Sequence, residues 1–161
     1  MRLILAFIAV FFLASCSRSV YYVVRHAVRD NATMSGDVPL SEAGQQRAIA
    51  LRDLLKNEHI THIYSTNFIR TRSTAQPLAD ALNVPVEIYK PGDSSFIQGI
   101  RKAGKGNFLI VGHSNTVDDI TNFLAGAKVV PGDLPDSAYG DLFIVRKKGK
   151  HYSFEKAHFG K

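Results

Sequence analysis

The stretch Tyr21-Tyr22-Val23-Val24-Arg25-His26-Ala27 decides the fold, because it joins an apolar run to two polar side chains. The run from Val20 to Val24 is short and continuous, which is typical of a strand buried on both faces of a sheet. In open α/β sheets, ligands bind beyond the carboxyl ends of the strands. Arg25 and His26 stand at such an end, so the stretch indicates an anion site beside a nucleophile. The alternative is a strand that merely ends in polar residues.

Length and charge limit the function classes. The chain has 161 residues, which suits one domain with a substantial core. Its formal charge of +6 favours anionic ligands or an anionic membrane surface. It carries no nucleic-acid-binding motif, so we expect no nucleic-acid partner, and we expect a monomer. With one cysteine, Cys16, it can form no intramolecular disulfide.

The first residues predict export and membrane anchoring. A charged start, Met1-Arg2, is followed by an apolar segment too short to span a bilayer comfortably, as in a secretory signal peptide. Leu13-Ala14-Ser15-Cys16 then resembles the bacterial lipobox. This resemblance implies a signal peptide over 1–15, a lipidated Cys16 with a short tether over 16–19, and a folded domain over 20–161. The domain is then expected at the extracytoplasmic (periplasmic) face of a bacterial envelope membrane.

Beyond the first strand, strands alternate with helices. Ser41 and Gly126 mark the start of the first predicted helix and the end of the last. Cap residues for the second helix are offered by Ser65-Thr66-Asn67, and for the third by Asp93 or Ser94. Helices are predicted over 42–57, 67–82, 94–103 and 114–124, and strands over 60–64, 84–89 and 108–111, before a terminal hairpin over 141–147 and 151–159. This order predicts an α/β fold with a mostly parallel sheet between two helical layers and a C-terminal hairpin.

Two later segments repeat the placement of Arg25 and His26. His113 follows the most apolar strand and precedes a helix whose first amides can bind an anion. Arg70 follows the second strand closely, with Arg72 two residues on, and only one of the two can face the site if both lie on a helix. Four groups that carry or can carry positive charge would repel one another without an anion. The pattern therefore predicts a phosphate-type ligand.

These segments together resemble the histidine phosphatase superfamily, the phosphoglycerate-mutase-like group. The family's Arg-His-Gly signature is present as Arg25-His26-Ala27, and its helix opener as Pro39-Leu40-Ser41-Glu42-Ala43-Gly44. Its arginine block covers 65–75 with Arg70, and its Gly-His-Ser motif is Gly112-His113-Ser114. The resemblance extends from about Val20 to Val145 and implies a three-layer α/β/α sandwich.

The resemblance also implies a mechanism. His26 attacks phosphorus and forms a phosphohistidine that water hydrolyses, while Arg25, Arg70 and His113 hold the phosphoryl oxygens. No metal or cofactor is expected, because the cationic groups supply the charge that a metal ion supplies elsewhere. The partner is then a phosphorylated small molecule or a phosphoprotein.

The resemblance also implies a proton donor and neutral phosphate ligands. The family places a carboxylate after the third strand, which makes Asp93 the predicted general acid and Glu87 the alternative. Ser114, Asn31 and Asn115 are expected to add neutral donors to the phosphate site.

The sequence departs from the family pattern at Ala27, which replaces glycine, and at Val28, where many relatives carry glutamate. The predicted function is that of a phosphatase acting on phosphomonoesters. A phosphate-binding lipoprotein without turnover remains an alternative. A mutase is a further alternative. It is less favoured, because the sequence has no insertion long enough to cover the site.

Overall fold

A six-stranded sheet organises the protein in a computed structural model that describes residues 18–30, 36–103 and 105–160. The strands are β1 (Arg18–Arg25), β2 (His62–Thr66), β3 (Val86–Tyr89), β4 (Gly106–Gly112), β5 (Asp141–Lys148) and β6 (His151–His158). Their order across the sheet is β3-β2-β4-β1-β5-β6. The first four strands are parallel, whereas β5 runs antiparallel to both β1 and β6. The predicted mostly parallel sheet with a terminal hairpin is confirmed.

Four helices cover the sheet: α1 (Glu42–Leu55), α2 (Ile69–Leu82), α3 (Ser94–Ala103) and α4 (Val117–Ala125). Alternate residues of β1 point to opposite layers, because side chains in a strand alternate between its two faces. Tyr22 and Val24 pack with residues of α1 and α2. Tyr21 and Val23 pack with residues of α3 and α4. The continuous apolar run of β1 therefore serves two cores, which confirms the three-layer architecture.

Helix α1 begins as the sequence predicts. Ser41 is its N-cap, and the Ser41 hydroxyl accepts a hydrogen bond from the Gly44 amide at 3.1 Å. The Ser41 amide and hydroxyl also donate to the Val28 carbonyl, at 3.0 Å and 3.2 Å. A Cβ at Gly44 would lie 2.0 Å from that carbonyl oxygen, so the glycine is required by close backbone approach. The helix opener thus fixes the segment that follows His26.

Helix α2 begins differently from the prediction. Residues 65–67 were expected to supply its cap, but its N-cap is Phe68, which offers no hydrogen-bonding side chain. The Asp37 carboxylate, in a loop distant in the sequence, takes the place of a cap side chain and accepts a hydrogen bond from the Ile69 amide at 2.6 Å. Rules that look for a cap residue next to the helix fail here, because the capping side chain comes from a segment that is distant in the sequence.

Two boundaries are corrected. Helix α4 begins at Val117 and not at 114, since the Thr116 hydroxyl accepts from the His113 amide at 3.0 Å and closes a turn first. Strand β1 begins at Arg18, so residues 18 and 19, which we assigned to the tether, pair with Lys148 and Lys147 of β5. No helix in the described ranges is long and apolar enough to cross a membrane. The predicted signal peptide, Cys16 and Asn31 lie outside these ranges.

Candidate active site

Sheet order brings the predicted catalytic segments together. Strand β4 lies between β1 and β2, and Arg25 pairs directly with Gly112. The His26 amide donates to the Gly112 carbonyl at 2.9 Å. The rings of His26 and His113 therefore lie 5.6 Å apart between centroids, in an edge-to-face arrangement.

A cavity of about 520 Å³ opens at these strand ends. Six of the residues that we predicted at the site line it, namely Arg25, His26, Arg70, His113, Ser114 and Asn115. The described lining is completed by Arg29, Phe68, Pro91, Thr116 and Asp136. Arg72 instead donates to the Asn67 side chain outside the cavity, as the helix geometry predicted.

His26 is buried, and its proton is positioned by backbone. The Nδ1 atom lies 2.8 Å from the Ala27 carbonyl oxygen, which can only accept, so Nδ1 carries the proton. Burial is the main cause that lowers the pKa of His26 to about 3, and the charges of Arg25 and Arg70 contribute to this shift. At neutral pH the ring is therefore neutral, and its Nε2 carries a free lone pair.

His113 is held in a complementary way by side chains. Its Nε2 lies 2.9 Å from the Thr66 hydroxyl, and its Nδ1 lies 3.5 Å from an Arg70 nitrogen. Because arginine only donates, Nδ1 is the acceptor and Nε2–H donates to Thr66. Burial lowers the pKa of His113 to about 4, with the charges of Arg70 and Arg25 adding to the shift.

Arg25 is fixed by the segment over 131–140. Its guanidinium lies 4.0 Å from the ring centroid of Tyr139 and donates to the Tyr139 hydroxyl at 3.2 Å. It also donates to the Pro135 carbonyl at 3.1 Å and to the Asp136 carboxylate at 3.4 Å. The Leu134 amide donates to the Ser114 carbonyl at 2.8 Å, which ties this segment to the cavity.

Arg70 is placed by Phe68 beside its own helix and by the loop that precedes α1. Its guanidinium lies 4.5 Å from the Phe68 ring centroid and donates to the Gly36 carbonyl at 3.3 Å. The Asp37 carboxylate, which caps α2, is 3.9 Å away. Capping and ion pairing by Asp37 therefore orient Arg70 toward the cavity.

Ala27 fits where the family motif has glycine. Its side chain is buried in a small cluster with Leu40 and Ala48. Its amide donates to the Thr74 hydroxyl at 2.9 Å. The extra methyl group beside His26 is therefore accommodated by packing against Leu40 and Ala48.

The structure does not bring Asp93 into the described lining of the cavity. Its carboxylate accepts from the Ser95 amide at 2.9 Å, the Ser95 hydroxyl at 2.6 Å and the Phe96 amide at 3.2 Å, and so caps α3. These hydrogen bonds lower its pKa, which opposes proton donation. Glu87 lies outside as well, 3.5 Å from Nδ1 of His62 on the exposed face of β3.

Sequence reasoning missed four contributors to the site: Arg29, Thr66, Asp136 and Tyr139. Arg29 adds a third guanidinium to the lining, and Asp136 is the one carboxylate among the described lining residues. Thr66 was visible at the end of a strand, like His113, but was assigned only as a helix cap. Within the described ranges, no three His, Cys, Asp or Glu side chains form a group that could hold a metal ion.

Comparisons with known proteins agree with this geometry. A family model described as "Histidine phosphatase superfamily (branch 1)" matches residues 21–90. The resemblance to the histidine phosphatase superfamily is confirmed. No curated protein sequence matches the chain.

Solved structures share the histidine phosphatase fold. The protein histidine phosphatase SixA complexed with tungstate is 19% identical, with a TM-score of 0.67 over 86% of this chain and 96% of that one. YhfR of Bacillus stearothermophilus is 19% identical, with a TM-score of 0.67 over 84% and 94%. A putative phosphohistidine phosphatase SixA of Agrobacterium tumefaciens is 20% identical, with a TM-score of 0.62 over 86% and 97%. At these identities the likeness establishes the fold.

Proposed function

We propose that this protein is a phosphatase that forms a phosphohistidine on His26. The observation that carries the proposal is a buried, neutral histidine with a directed lone pair in a cavity lined by guanidinium groups. Arg25, Arg29 and Arg70 favour binding of a phosphoryl dianion, and the Nδ1–H bond to Ala27 leaves Nε2 as the attacking atom.

The reaction has two balanced steps. Nε2 of His26 forms a bond to phosphorus while the bond from phosphorus to the leaving oxygen breaks, and the leaving group departs with a proton. Water then attacks the phosphohistidine, releasing inorganic phosphate, giving up a proton and returning the lone pair to Nε2. Arg25 and Arg70 stabilise the charge on the equatorial oxygens in both steps.

His113 supports this charge after a change of protonation. In the free site its Nδ1 accepts from Arg70, so it offers no proton to an oxyanion. A phosphoryl dianion bound beside His113 raises the pKa of its ring, because an opposite charge favours the protonated form. Proton uptake by His113 then converts it to a donor. This cationic arrangement is the basis for proposing metal-independent turnover.

Asp136 is the carboxylate that can serve as general acid in place of Asp93. It lines the cavity, and its side chain is fully exposed there while it contacts Arg25. Hydrolysis of an alkyl phosphate needs such a donor, because an alkoxide is a poor leaving group.

A phosphohistidine in a protein is a second candidate substrate. Two solved structures of similar fold are described as SixA, a protein histidine phosphatase, and a putative phosphohistidine phosphatase. When the other ring nitrogen of the phosphohistidine carries a proton, imidazole leaves as a neutral base whose conjugate acid has a pKa of about 6.5. Such a substrate places little demand on an enzymatic acid, in keeping with a cavity that has one described carboxylate.

We also propose that the domain is lipid-anchored through Cys16 at the extracytoplasmic face of a membrane. The lipobox-like sequence supports this localisation. Cys16→Ser is expected to release the protein from membrane fractions or leave it unprocessed. A variant that stays processed and membrane-bound would contradict the anchor.

The decisive test of the activity is hydrolysis of an aryl phosphate in the presence of a chelator. Wild type is expected to turn over and His26→Ala to be inactive, with His59→Asn as a control that keeps an exposed left-handed residue outside the site. Tungstate binding without turnover would favour the phosphate-binding alternative. Activity that survives in His26→Ala would contradict the phosphohistidine mechanism.

A further inference from the structure

The end of the sheet opposite the cavity carries basic residues at neighbouring strand ends. Arg18 of β1 pairs with Lys148 of β5, which pairs with His151 of β6. Lys105 lies level with Arg18, because Gly106 pairs with Ser19. These residues and Lys150 in the hairpin turn are all exposed. We call Arg18, Lys105, Lys148, Lys150 and His151 the basic end.

The charges of the basic end are poorly compensated within the fold. Arg18 and Lys148 are directly opposite each other, an arrangement that destabilises a sheet. Elsewhere the hairpin pairs its charges, as in the contact of Arg146 with Glu155 at 2.7 Å. Within the described ranges, no carboxylate forms an ion pair with Arg18, Lys148 or Lys150. The basic end is therefore suited to an external anionic surface.

Chain connectivity indicates which surface this is. Cys16 precedes Arg18 by two positions, and two residues span at most about 7 Å. A lipid on Cys16 would therefore bring this end of the sheet to the bilayer. A cavity of about 390 Å³ bordered by Arg18, Lys148 and His151 opens at the same end and can receive a headgroup.

We propose that the basic end docks on anionic lipid headgroups of the membrane that holds Cys16. The proposal rests on the proposed lipid anchor and not on the phosphatase activity. Each basic residue near an anionic surface is expected to strengthen docking about fivefold. Strand β1 separates the basic end from Arg25 by about 23 Å, at roughly 3.3 Å per residue. Docking therefore holds the catalytic cavity away from the membrane, toward substrates in the aqueous phase.

Amine footprinting of the full-length lipoprotein tests this orientation. The protein is reconstituted into vesicles of phosphatidylcholine, with or without phosphatidylglycerol, and acetylation of each lysine is measured by mass spectrometry. Lys148 and Lys150 are expected to react several-fold more slowly on the anionic vesicles, and added salt should remove the protection. Lys90 follows the carboxyl end of β3 and serves as the internal reference, with an unchanged rate.

A charge-reversal pair sharpens the test. Lys150→Glu is expected to reduce protection of Lys105 and Lys148, whereas Lys90→Glu, which changes the net charge equally, should leave it intact. Aryl phosphate turnover in the same vesicles is measured separately, so a loss of activity is distinguishable from a loss of docking.

Four outcomes would overturn the proposal. Equal reactivity of Lys148 and Lys150 on both vesicle types would exclude docking on anionic lipid, as would protection of Lys90 in their place. Protection by soluble polyglutamate but not by anionic vesicles would indicate an acidic protein partner. A mass spectrum showing Cys16 without lipid would remove the anchor on which the proposed orientation rests.

Discussion

The two histidines of the cavity lie in similar surroundings but are supported in different ways. His26 is fixed by backbone, through the Ala27 carbonyl and a segment that α1 holds at Val28. His113 is fixed by side chains, through Thr66 and Arg70. The first arrangement commits one nitrogen to a fixed lone pair, as a nucleophile requires. The second allows the proton to move when an anion arrives, as a charge-stabilising group requires.

The largest expected effect separates these two roles. His26→Asn should lower kcat by at least about 10⁴-fold, because the bonding atom is lost. His113→Asn should lower kcat by about 10²- to 10³-fold, because it removes one stabilising group. Single-turnover kinetics with an aryl phosphate measures both. Equal losses in the two variants would contradict the division of roles.

A second pair of variants asks which carboxylate donates a proton to the leaving oxygen. Asp136→Ala should slow hydrolysis of alkyl phosphates by about 10²-fold and leave an aryl phosphate with an acidic phenol nearly unchanged. Asp93→Ala should spare both activities and reduce the free energy of unfolding, because a helix cap is lost. A large effect of Asp93→Ala on the alkyl substrates alone would restore Asp93 as the acid.

The backbone support of His26 can be broken through Gly44. Gly44→Ala should lower the free energy of unfolding by about 1–3 kcal/mol, because the new Cβ displaces the Val28 carbonyl. Denaturant unfolding measures this loss, and turnover of the folded fraction should also fall. Gly99→Ala in α3 is the control, since open space there should make alanine neutral or stabilising. Equal stability of the two variants would contradict the close approach at Val28.

The side-chain support of His113 can be broken by removing one hydroxyl. Thr66→Val should lower kcat/KM by about five- to tenfold, because the Nε2–H of His113 loses its acceptor. Thr61→Val, at an exposed hydroxyl outside the described cavity lining, should leave kcat/KM unchanged. If Thr66→Val retains full activity, the tautomer of His113 is set by another group.

The smallest effect is the uptake of about one proton when an anion binds. At about pH 5.5, tungstate binding should take up close to one proton, because the pKa of His113 is about 4 before the anion raises it. Calorimetry in two buffers of different ionisation enthalpy measures the uptake, which His113→Asn should abolish.

In the free protein, the unfolded chain binds protons more readily at both histidines. The free energy of unfolding should therefore fall as the pH falls from 6.5 toward 4 and 3.

Local patterns predicted much of the fold and the centre of the site. The apolar run of β1, the Ser41 cap and the Gly126 helix end are encoded within a few residues and are confirmed. His26, His113 and Arg70 were predicted to converge because each follows the end of a parallel strand. The structure places all three in one cavity.

The remaining features depend on contacts between distant segments. Tyr139 and Asp136 reach Arg25 across more than a hundred residues of sequence, and no local pattern marks them. Asp37 caps α2 from a loop that precedes α1. Asp93 carried a clear capping signal, but its position after the third strand also suggested an acid. The two interpretations could be separated only by seeing where its carboxylate points.

The segment over 131–140 gives the site a built-in reporter. It is fastened at one end by Asn122, whose side chain bonds the backbone of Val129 and Val130, and along its length by the Leu134 amide and the contacts of Arg25. An anion that draws Arg25 toward itself therefore changes the restraint on this segment. Hydrogen–deuterium exchange at Leu134 would follow occupancy of the cavity for any phosphorylated ligand, including substrates that yield no coloured product.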